Sequence, residues 1–306
     1  METDLWILLA GWLVATLRSA TPLLFVTLGE TLTQRTGVIN LGVEGEMLAG
    51  ACFGFAVAVT TGSPWLGLAA GALAGGTLSL LHAGLVLGAR ANQIGSGIAV
   101  WMIALGTTSY VGRGFVGQKV TPLPQLVGPG AGDGLLGVLF RQLTAPAPLA
   151  FLAVVLAAWW LANTRAGLAW RVAGESARVA AENGLRPTWI RLQAIVLGGL
   201  LSGLGGAVLS VDYTQTWAQE ITKGRGLIAV GLVIVARWRP ILVLPVCLMF
   251  GLAEVAVLRV QAAGVEASSY LIATAPYAAV LIVLVVGHRS ARRSRTMPAD
   301  LRSIFS

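Results

Sequence analysis

The sequence predicts an all-α integral membrane protein with about nine (8–10) transmembrane helices. Three observations carry that fold class. Of 306 residues, 56% are hydrophobic and 11% are charged, against about a quarter charged in an ordinary soluble domain. Mean hydropathy is +0.79. The apolar residues fall in long blocks separated by arginine-bearing stretches. A water-soluble fold needs a charged shell over its core, and here the shell is too thin. The bilayer is the solvent that suits such a chain, because helices satisfy their own backbone there.

In chain order, the apolar segments are 5–29, 43–60, 65–87, 94–111, 146–162, 192–211, 226–236, 241–258 and 271–287. A span needs about 20 residues, so 43–60 and 226–236 read as short or broken helices near the centre. Arg18 and Pro22 interrupt the first segment, which predicts a kink. Glu2 and Asp4 stand where a cleaved signal would be basic, so the first apolar run is expected to stay in the mature protein. The chain reads as one transmembrane domain over 1–306, with loops at 112–145 and 163–191 and a basic tail at 288–306.

Orientation follows from arginine placement. The formal charge of +8 rests on 21 Lys and Arg. Arg165, Arg171, Arg178, Arg186 and Arg191 crowd the loop 163–191, and Arg289, Arg292, Arg293, Arg295 and Arg302 crowd the tail. The positive-inside rule makes both cytoplasmic. An even number of spans separates them, so the assignments agree. Alternation then puts Arg35, Arg90, Arg237 and Arg239 inside as well, and the N-terminus and the loop 112–145 outside. Nucleic-acid binding does not fit, because these charges sit between apolar blocks.

The external loop is rich in Gly and Pro, among them Pro122, Pro124, Pro129 and Gly130, and reads as irregular. Leu135 to Leu143 is expected to lie along the interface as a short amphipathic helix. In the cytoplasmic loop, helix formers lie between Gly174 and Gly184. Ser176 or Glu175 is placed to cap a short helix and Gly184 to end it. Gly37-Val-Ile-Asn-Leu-Gly-Val43 resembles Gly226-Leu-Ile-Ala-Val-Gly-Leu232. The two approach from opposite sides and lead into the two short segments, the pattern of an inverted repeat.

Several residues are candidates for chemistry. Asn40, Glu44 and Glu46 lie among glycines where a span begins. Carboxylates at membrane depth are costly unless paired or wet, and unwound backbone there must line protein or water. Asn40 and Glu44 therefore either border a translocation path or tie helix ends together, with Arg35 a candidate partner. Asn92, Gln93 and Ser96 open the fourth span, to bind a polar ligand or to join helices. Tyr213 and Trp217 lie in a polar, aromatic stretch that is an external gate or an ordinary interfacial belt. His82 reads as a core residue, and Cys52 and Cys247 as small buried hydrophobes. Two histidines and two distant cysteines leave no metal cluster. The phosphate-binding pattern G-x-x-x-x-G-K-[ST] is absent, so ATP and Mg would be bound by a partner subunit and no cofactor is expected in this chain. Glu254 is the one other clear mid-span acid, the feature an ion-coupled secondary transporter would need.

Three ordered stretches carry a resemblance. Gly29-Glu-Thr-Leu-Thr-Gln-Arg-Thr-Gly-Val-Ile-Asn-Leu-Gly-Val-Glu-Gly45 resembles the signature E-x-x-x-E/Q-R-x-G-V-I/V-N-L-G-L/V-E-G-M-M of binding-protein-dependent ABC permeases of the simple-sugar/nucleoside type. Ala173 to Gly184 is similar to their cytoplasmic coupling segment, A-x-G-E-N-P-x-A-A-x-x-x-G. Gly224 to Pro240 is similar to their G-R-G-[FY]-I-A-L-A-x-V-I-F-G-x-W-x-P, and Asn92 to Gly97 to N-E/Q-V/I-x-S-G. The matches cover about residues 22 to 285. Glu46 stands where the family usually has Met, Val100-Trp101 where Leu-Asn is common, and Ser176-Ala177 where Asn-Pro is usual.

The resemblance implies a permease subunit of an ATP-driven importer in the bacterial cytoplasmic (inner) membrane, multi-pass, with a cytoplasmic C-terminus. It is not itself an enzyme. Arg171, Glu175, Arg178, Ala181 and Gly184 would dock on cytoplasmic ATP-binding subunits. A second permease, a different chain, would complete the pathway, and an external substrate-binding protein or lipoprotein would deliver the solute. Nucleosides lead as that solute; simple sugars, or an ATP-independent secondary transporter, are the alternatives. Tyr213, Trp217 and Trp101 are the aromatics available to a planar base.

Overall fold

Long apolar runs with few breakers fold as helices because only a helix closes its own hydrogen bonds in lipid. In the computed structural model, residues 2–127, 137, 141–262, 274–278, 280, 282 and 297–302 are described. The helices are α1 (Glu2–Arg35), α2 (Val43–Thr61), α3 (Pro64–Ala83), α4 (Gln93–Val111), α5 (Pro146–Asn163), α6 (Arg165–Glu175), α7 (Ala177–Glu182), α8 (Pro187–Ala207), α9 (Arg225–Val235), α10 (Pro240–Ala262) and α11 (Ala299–Arg302). α3 and α8 continue through π-helical turns at Gly84–Gly88 and Val208–Tyr213. The non-helical pairing described is an isolated antiparallel bridge between Gln125 and Thr144.

Seven described helices are long and apolar enough to cross a membrane: α1 to α5, α8 and α10. This count among the described residues differs from the expected nine or so (8–10), of which 226–236 is expected to be short or broken. The segment 226–236 forms α9, of 11 residues. At 1.5 Å per residue it is about 16 Å long, roughly half a hydrocarbon core of about 30 Å. The ninth segment, 271–287, lies mostly outside the described residues. The segment 43–60, expected to be short or broken, is one continuous helix of 19 residues. α1 runs through Pro22 without interruption. The expected interfacial helix 135–143 lies mostly outside the described residues, as do Arg289, Arg292, Arg293 and Arg295.

α8 is the axis of the bundle, with α1, α2 and α3 packed on it. Gly29 meets Gly198 while Pro22 meets Gly205, so α1 and α8 are antiparallel. Gly71 meets Gly203 and Gly75 meets Gly199, so α3 is antiparallel to α8 as well. The close approach depends on missing side chains. A Cβ on Gly203 would strike the Gly71 carbonyl oxygen, and one on Gly206 the Met47 carbonyl oxygen. Apolar surface cannot drive helix association within lipid, so such backbone-to-backbone packing does. α10 lies against α1, where Cys247 reaches Thr27 and Gly251 meets Thr16, again antiparallel.

These directions collect the arginine-bearing ends at one face. Arg35 ends α1, Arg239 precedes α10, and Arg186 and Arg191 begin α8. Arg90 follows α3, whose end shares a cleft with Arg186. Outer helices turn large apolar side chains outward, among them Leu73, Met102, Leu156 and Trp159. Cys52 and Cys247 are buried and free.

Candidate translocation pathway and coupling face

Between α1 and α2 the chain unwinds from Thr36 to Gly42. Gly37 takes φ +85°, a backbone region that side chains disfavour. Asn40 organises the turn that follows. Its Oδ1 accepts from the Gly42 N–H at 2.9 Å, its Nδ2 donates to Glu46 Oε1 at 2.7 Å, and its own N–H donates to Glu30 Oε1 at 3.1 Å. The same Glu30 oxygen accepts from Gln34 Nε2 at 2.7 Å, and Gln34 Oε1 accepts from the Trp238 indole at 2.6 Å. Glu30, Gln34, Asn40 and Glu46 are all buried. The other oxygen of Glu46 has no hydrogen-bond partner among the described residues. Trp238 reaches Gln34 because Arg237 and Trp238 both turn to positive φ, 53° and 54°, at the end of α9.

Glu44 is buried in the first turn of α2. Its carboxylate accepts from Thr222 Oγ1 at 2.6 Å and from the N–H groups of Gly224 at 2.9 Å, Gly226 at 2.6 Å and Leu227 at 3.3 Å. It thus occupies the N-terminus of α9, where N–H groups lack intrahelical partners and a negative charge is favoured. Of the two stretches that resemble each other, 226–232 begins at this contact and 37–43 ends one residue before it. Their conformations differ, because the first is unwound and the second is helical.

Asn92, Gln93 and Ser96 sit beside the unwound turn. Asn92 caps α4 by accepting from the Gly95 N–H at 2.9 Å, and is exposed. Gln93 Oε1 accepts from the Ile39 N–H at 2.8 Å. Ser96 is buried 3.1 Å from His82 Nδ1. Asn40 and Gln93 therefore belong to one polar patch. Glu44 faces the N-terminus of α9, which Tyr213, at the far end of α8, also reaches through Arg225, while Trp217 lies apart. Trp217 is buried against Gly112 at the end of α4, and the Tyr213 ring lies 5.7 Å from the Arg225 guanidinium.

That far end holds a second charged group. Arg225 pairs with Glu254 at 2.8 Å, and Ser19 donates to the other Glu254 oxygen. Arg18 donates to the Asp212 carbonyl at 3.2 Å, and the Asp212 carboxylate accepts from Thr144 at 2.8 Å. The mid-span acid Glu254 is thus neutralised by a cation. Among the described residues no three His, Cys, Asp or Glu side chains gather to hold a metal.

A bundle of spanning helices with broken, polar segments at its centre has the build of a carrier. The family of branched-chain amino acid transport system permease components matches residues 12–286 of this chain. The chain belongs to that permease family. Among curated proteins, it is 39% identical to a putative glucose ABC transporter permease of Haloferax volcanii, over 90% of this chain and 84% of the relative. It is 32% identical to a guanosine ABC transporter permease of Bacillus subtilis, over 78% and 79%. It is 30% identical to a nucleoside ABC transporter permease of Lactococcus lactis, over 87% and 89%. No solved structure matches the chain.

On the arginine-rich face of the permease, α6 and α7 form a pair of short elements joined at Ser176. The Ser176 hydroxyl caps α7 by accepting from the Val179 N–H at 3.3 Å, and Gly184 ends it at φ +78°. Arg178, Val179, Ala181 and Glu182 are exposed, with Arg178 and Glu182 paired at 2.9 Å. The underside is clamped. Arg191 donates to the Thr36 carbonyl at 3.0 Å and the Ala173 carbonyl at 3.4 Å, and pairs with Asp300. Asp300 also accepts from the Ala177 N–H at 3.2 Å, and Glu175 from the Ala299 N–H at 3.3 Å. A Cβ on Gly174 would strike the Arg35 carbonyl oxygen. The surface pair α6–α7 is therefore fixed to the end of α1, five residues from Glu30 along the same helix.

Sequence reasoning missed Glu30, Gln34, Arg191, Trp238 and Asp300. Glu30 and Gln34 carried a usable signal, two polar side chains at i and i+4 in an apolar helix. The other three join partners more than a hundred positions away; Trp238 falls in the Gly224 to Pro240 match and Arg191 among the cytoplasmic arginines, but neither pattern gives those partners.

Proposed function

We propose that this permease forms one half of the translocation pathway of an ATP-driven importer for nucleosides. A second, different permease chain forms the other half. Cytoplasmic subunits bind ATP and Mg, and an external binding protein or lipoprotein delivers the solute. The membrane is the bacterial inner membrane, with α6, α7 and the C-terminus in the cytoplasm. The observation that carries the coupling is the Arg191 clamp. ATPase subunits bearing on Arg171, Glu175, Arg178, Ala181 and Gly184 would push a rigid α6–α7 unit whose underside is bonded to Thr36. The push passes along α1 and into the unwound turn that holds Asn40 and Gln93. From α2 it passes through Glu44 to the N-terminus of α9, and so to Arg225 and Tyr213. The polar patch at Asn40 and Gln93 and the aromatic–cationic group at Tyr213 and Arg225 suit a solute with a planar base and a hydroxylated sugar. The two relatives named for guanosine and nucleosides support that solute.

The 39% identity to a putative glucose permease favours a second reading, a simple sugar on the same machinery. A secondary transporter receives no such support, since Glu254 is paired with Arg225. Both solutes are tested together by reconstituting the complete transporter in vesicles and measuring uptake of labelled guanosine and labelled glucose, with and without enclosed ATP. ATP-dependent guanosine uptake is the expected result. Uptake of glucose alone would move the assignment to sugars. Uptake that needs no ATP would overturn the ATP-driven reading.

A further inference from the structure

We infer that the permease carries a binding site for the phosphate of an anionic phospholipid, at the arginine-rich ends of α1, α5 and α10. A cavity of about 240 Å³ opens there, lined by Arg35, Arg171, Arg239, Ala158, Leu161 and Ile241 among others. Arg35 and Arg171 also line a larger cleft beside it, with Glu175. The guanidiniums come from three elements: the last turn of α1, the middle of α6 and the residue before α10. Like charges repel at this distance, and Arg35 lies within electrostatic reach of both other arginines. Glu175 is the acid set against them. Two nearby acids are engaged elsewhere, Asp300 by Arg191 and Glu182 by Arg178. The Nε atoms of Arg35 and Arg171 are buried, with no hydrogen-bond partner among the described residues. A buried donor without a partner is costly, and a phosphate oxygen would satisfy it with a charge-assisted bond.

The walls point to a lipid rather than a soluble anion. Ala158 and Leu161 of α5 and Ile241 of α10 are apolar. Ile241 is itself exposed by 42%, and Leu156 and Trp159 of α5 face outward, exposed by 52% and 58%. An occupant with an anionic head and apolar chains contacts both parts, and basic pockets between spans at the headgroup level suit such lipids. Arginine forks hold phosphate oxygens in pairs. The site is independent of the transported solute, and of the proposed docking surface it takes only Arg171, whose Nε is buried.

The test uses the full-length permease in detergent, stripped of lipid. Dioleoylphosphatidylglycerol, dioleoylphosphatidylcholine and inorganic phosphate are titrated separately, with bound lipid read by native mass spectrometry and the unfolding midpoint read in parallel. The expected result is binding of the glycerol lipid at least about tenfold tighter than the choline lipid. Arg171→Gln and Arg239→Gln should each weaken it about tenfold, the effect of losing one charge-assisted contact. Arg165→Gln, exposed on the same face, should leave it unchanged. Arg239 is exposed, so its variant should unfold at the wild-type midpoint without lipid, which separates lost binding from lost folding. Equal lipid binding by wild type and both variants would overturn the site. So would inorganic phosphate that raises the midpoint as much as lipid, which marks a soluble-anion site. Variants that bind lipid normally but no longer retain the ATPase subunits would also overturn it, and would assign the arginines to subunit docking.

Discussion

At the scale of single residues, the buried polar groups hold a broken structure together. Glu44 accepts from a hydroxyl and three backbone N–H groups that begin α9. Without the carboxylate, those N–H groups would be buried with no partner, each at a cost of about 1–3 kcal/mol. Glu44→Ala is expected to destabilise the protein by about 3 kcal/mol or more, read as loss of midpoint in thermal unfolding in detergent. Glu44→Gln keeps one acceptor and should lose less. A Glu44→Ala protein as stable as wild type would remove this account of the α2–α9 junction. Trp238→Phe keeps the ring and deletes the donor to Gln34. It should cost about 1 kcal/mol, and more in transport than in stability if the Glu30–Gln34–Asn40 chain moves during the cycle.

At the scale of elements, packing and clamping decide what moves together. Gly206 faces the Met47 carbonyl with no room for a methyl group. Because the obstacle is backbone rather than a flexible side chain, Gly206→Val should exceed the usual overpacking cost of about 1–3 kcal/mol. It should appear as a collapse in the yield of monodisperse protein, while Gly231→Ala, which faces open space, should be silent. The Arg191 clamp makes a different prediction. Arg191→Met removes bonds to Thr36, Ala173 and Asp300 at once. The variant should still bind the ATPase subunits through the exposed face of α7, yet show ATP hydrolysis poorly coupled to uptake. Normal coupling in that variant would show that motion passes from α7 to the membrane by another route.

At the scale of the whole molecule, the proposed function requires an assembly. α7 turns Arg178, Val179, Ala181 and Glu182 outward, and exposed substitutions away from special features usually change stability by no more than about 0.5 kcal/mol. Val179→Asp and Ala181→Arg should therefore leave insertion and unfolding midpoint unchanged. They should abolish recovery of the ATPase subunits with the tagged permease, measured by affinity capture and mass spectrometry. Full recovery with both substitutions would displace the docking surface from α7. The pairing of Glu254 with Arg225 adds a second expectation at this scale. Collapsing the proton or sodium gradient should not reduce uptake while ATP is present, as vesicle transport assays with ionophores would show.

Composition and hydropathy alone determined the all-helical membrane fold and the positions of its spans, because the bilayer imposes one backbone solution and a fixed length on apolar segments. They also determined the arginine-bearing ends. The short helix at 177–182 was legible as well, since Ser176 and Gly184 act on neighbours within a turn. The signature at 29–45 marked where the candidate site lies. Which partners its residues take was decided by tertiary structure. Glu44 read as a pathway residue or a tie between helix ends, and its bond to the start of α9, 180 positions away, is made only in the fold. Glu30 became part of the site only when the chain folded back to place Asn40 beside it, and Arg191 only when α8 met the end of α1. The shortness of α9 was legible too, since the apolar run 226–236 is too brief to span, but only the fold shows Arg237 and Trp238 turning out of the helix end to bring an indole to Gln34. Local patterns report the solvent around each segment, while contacts between distant segments decide where helices stop and which polar groups share a bond.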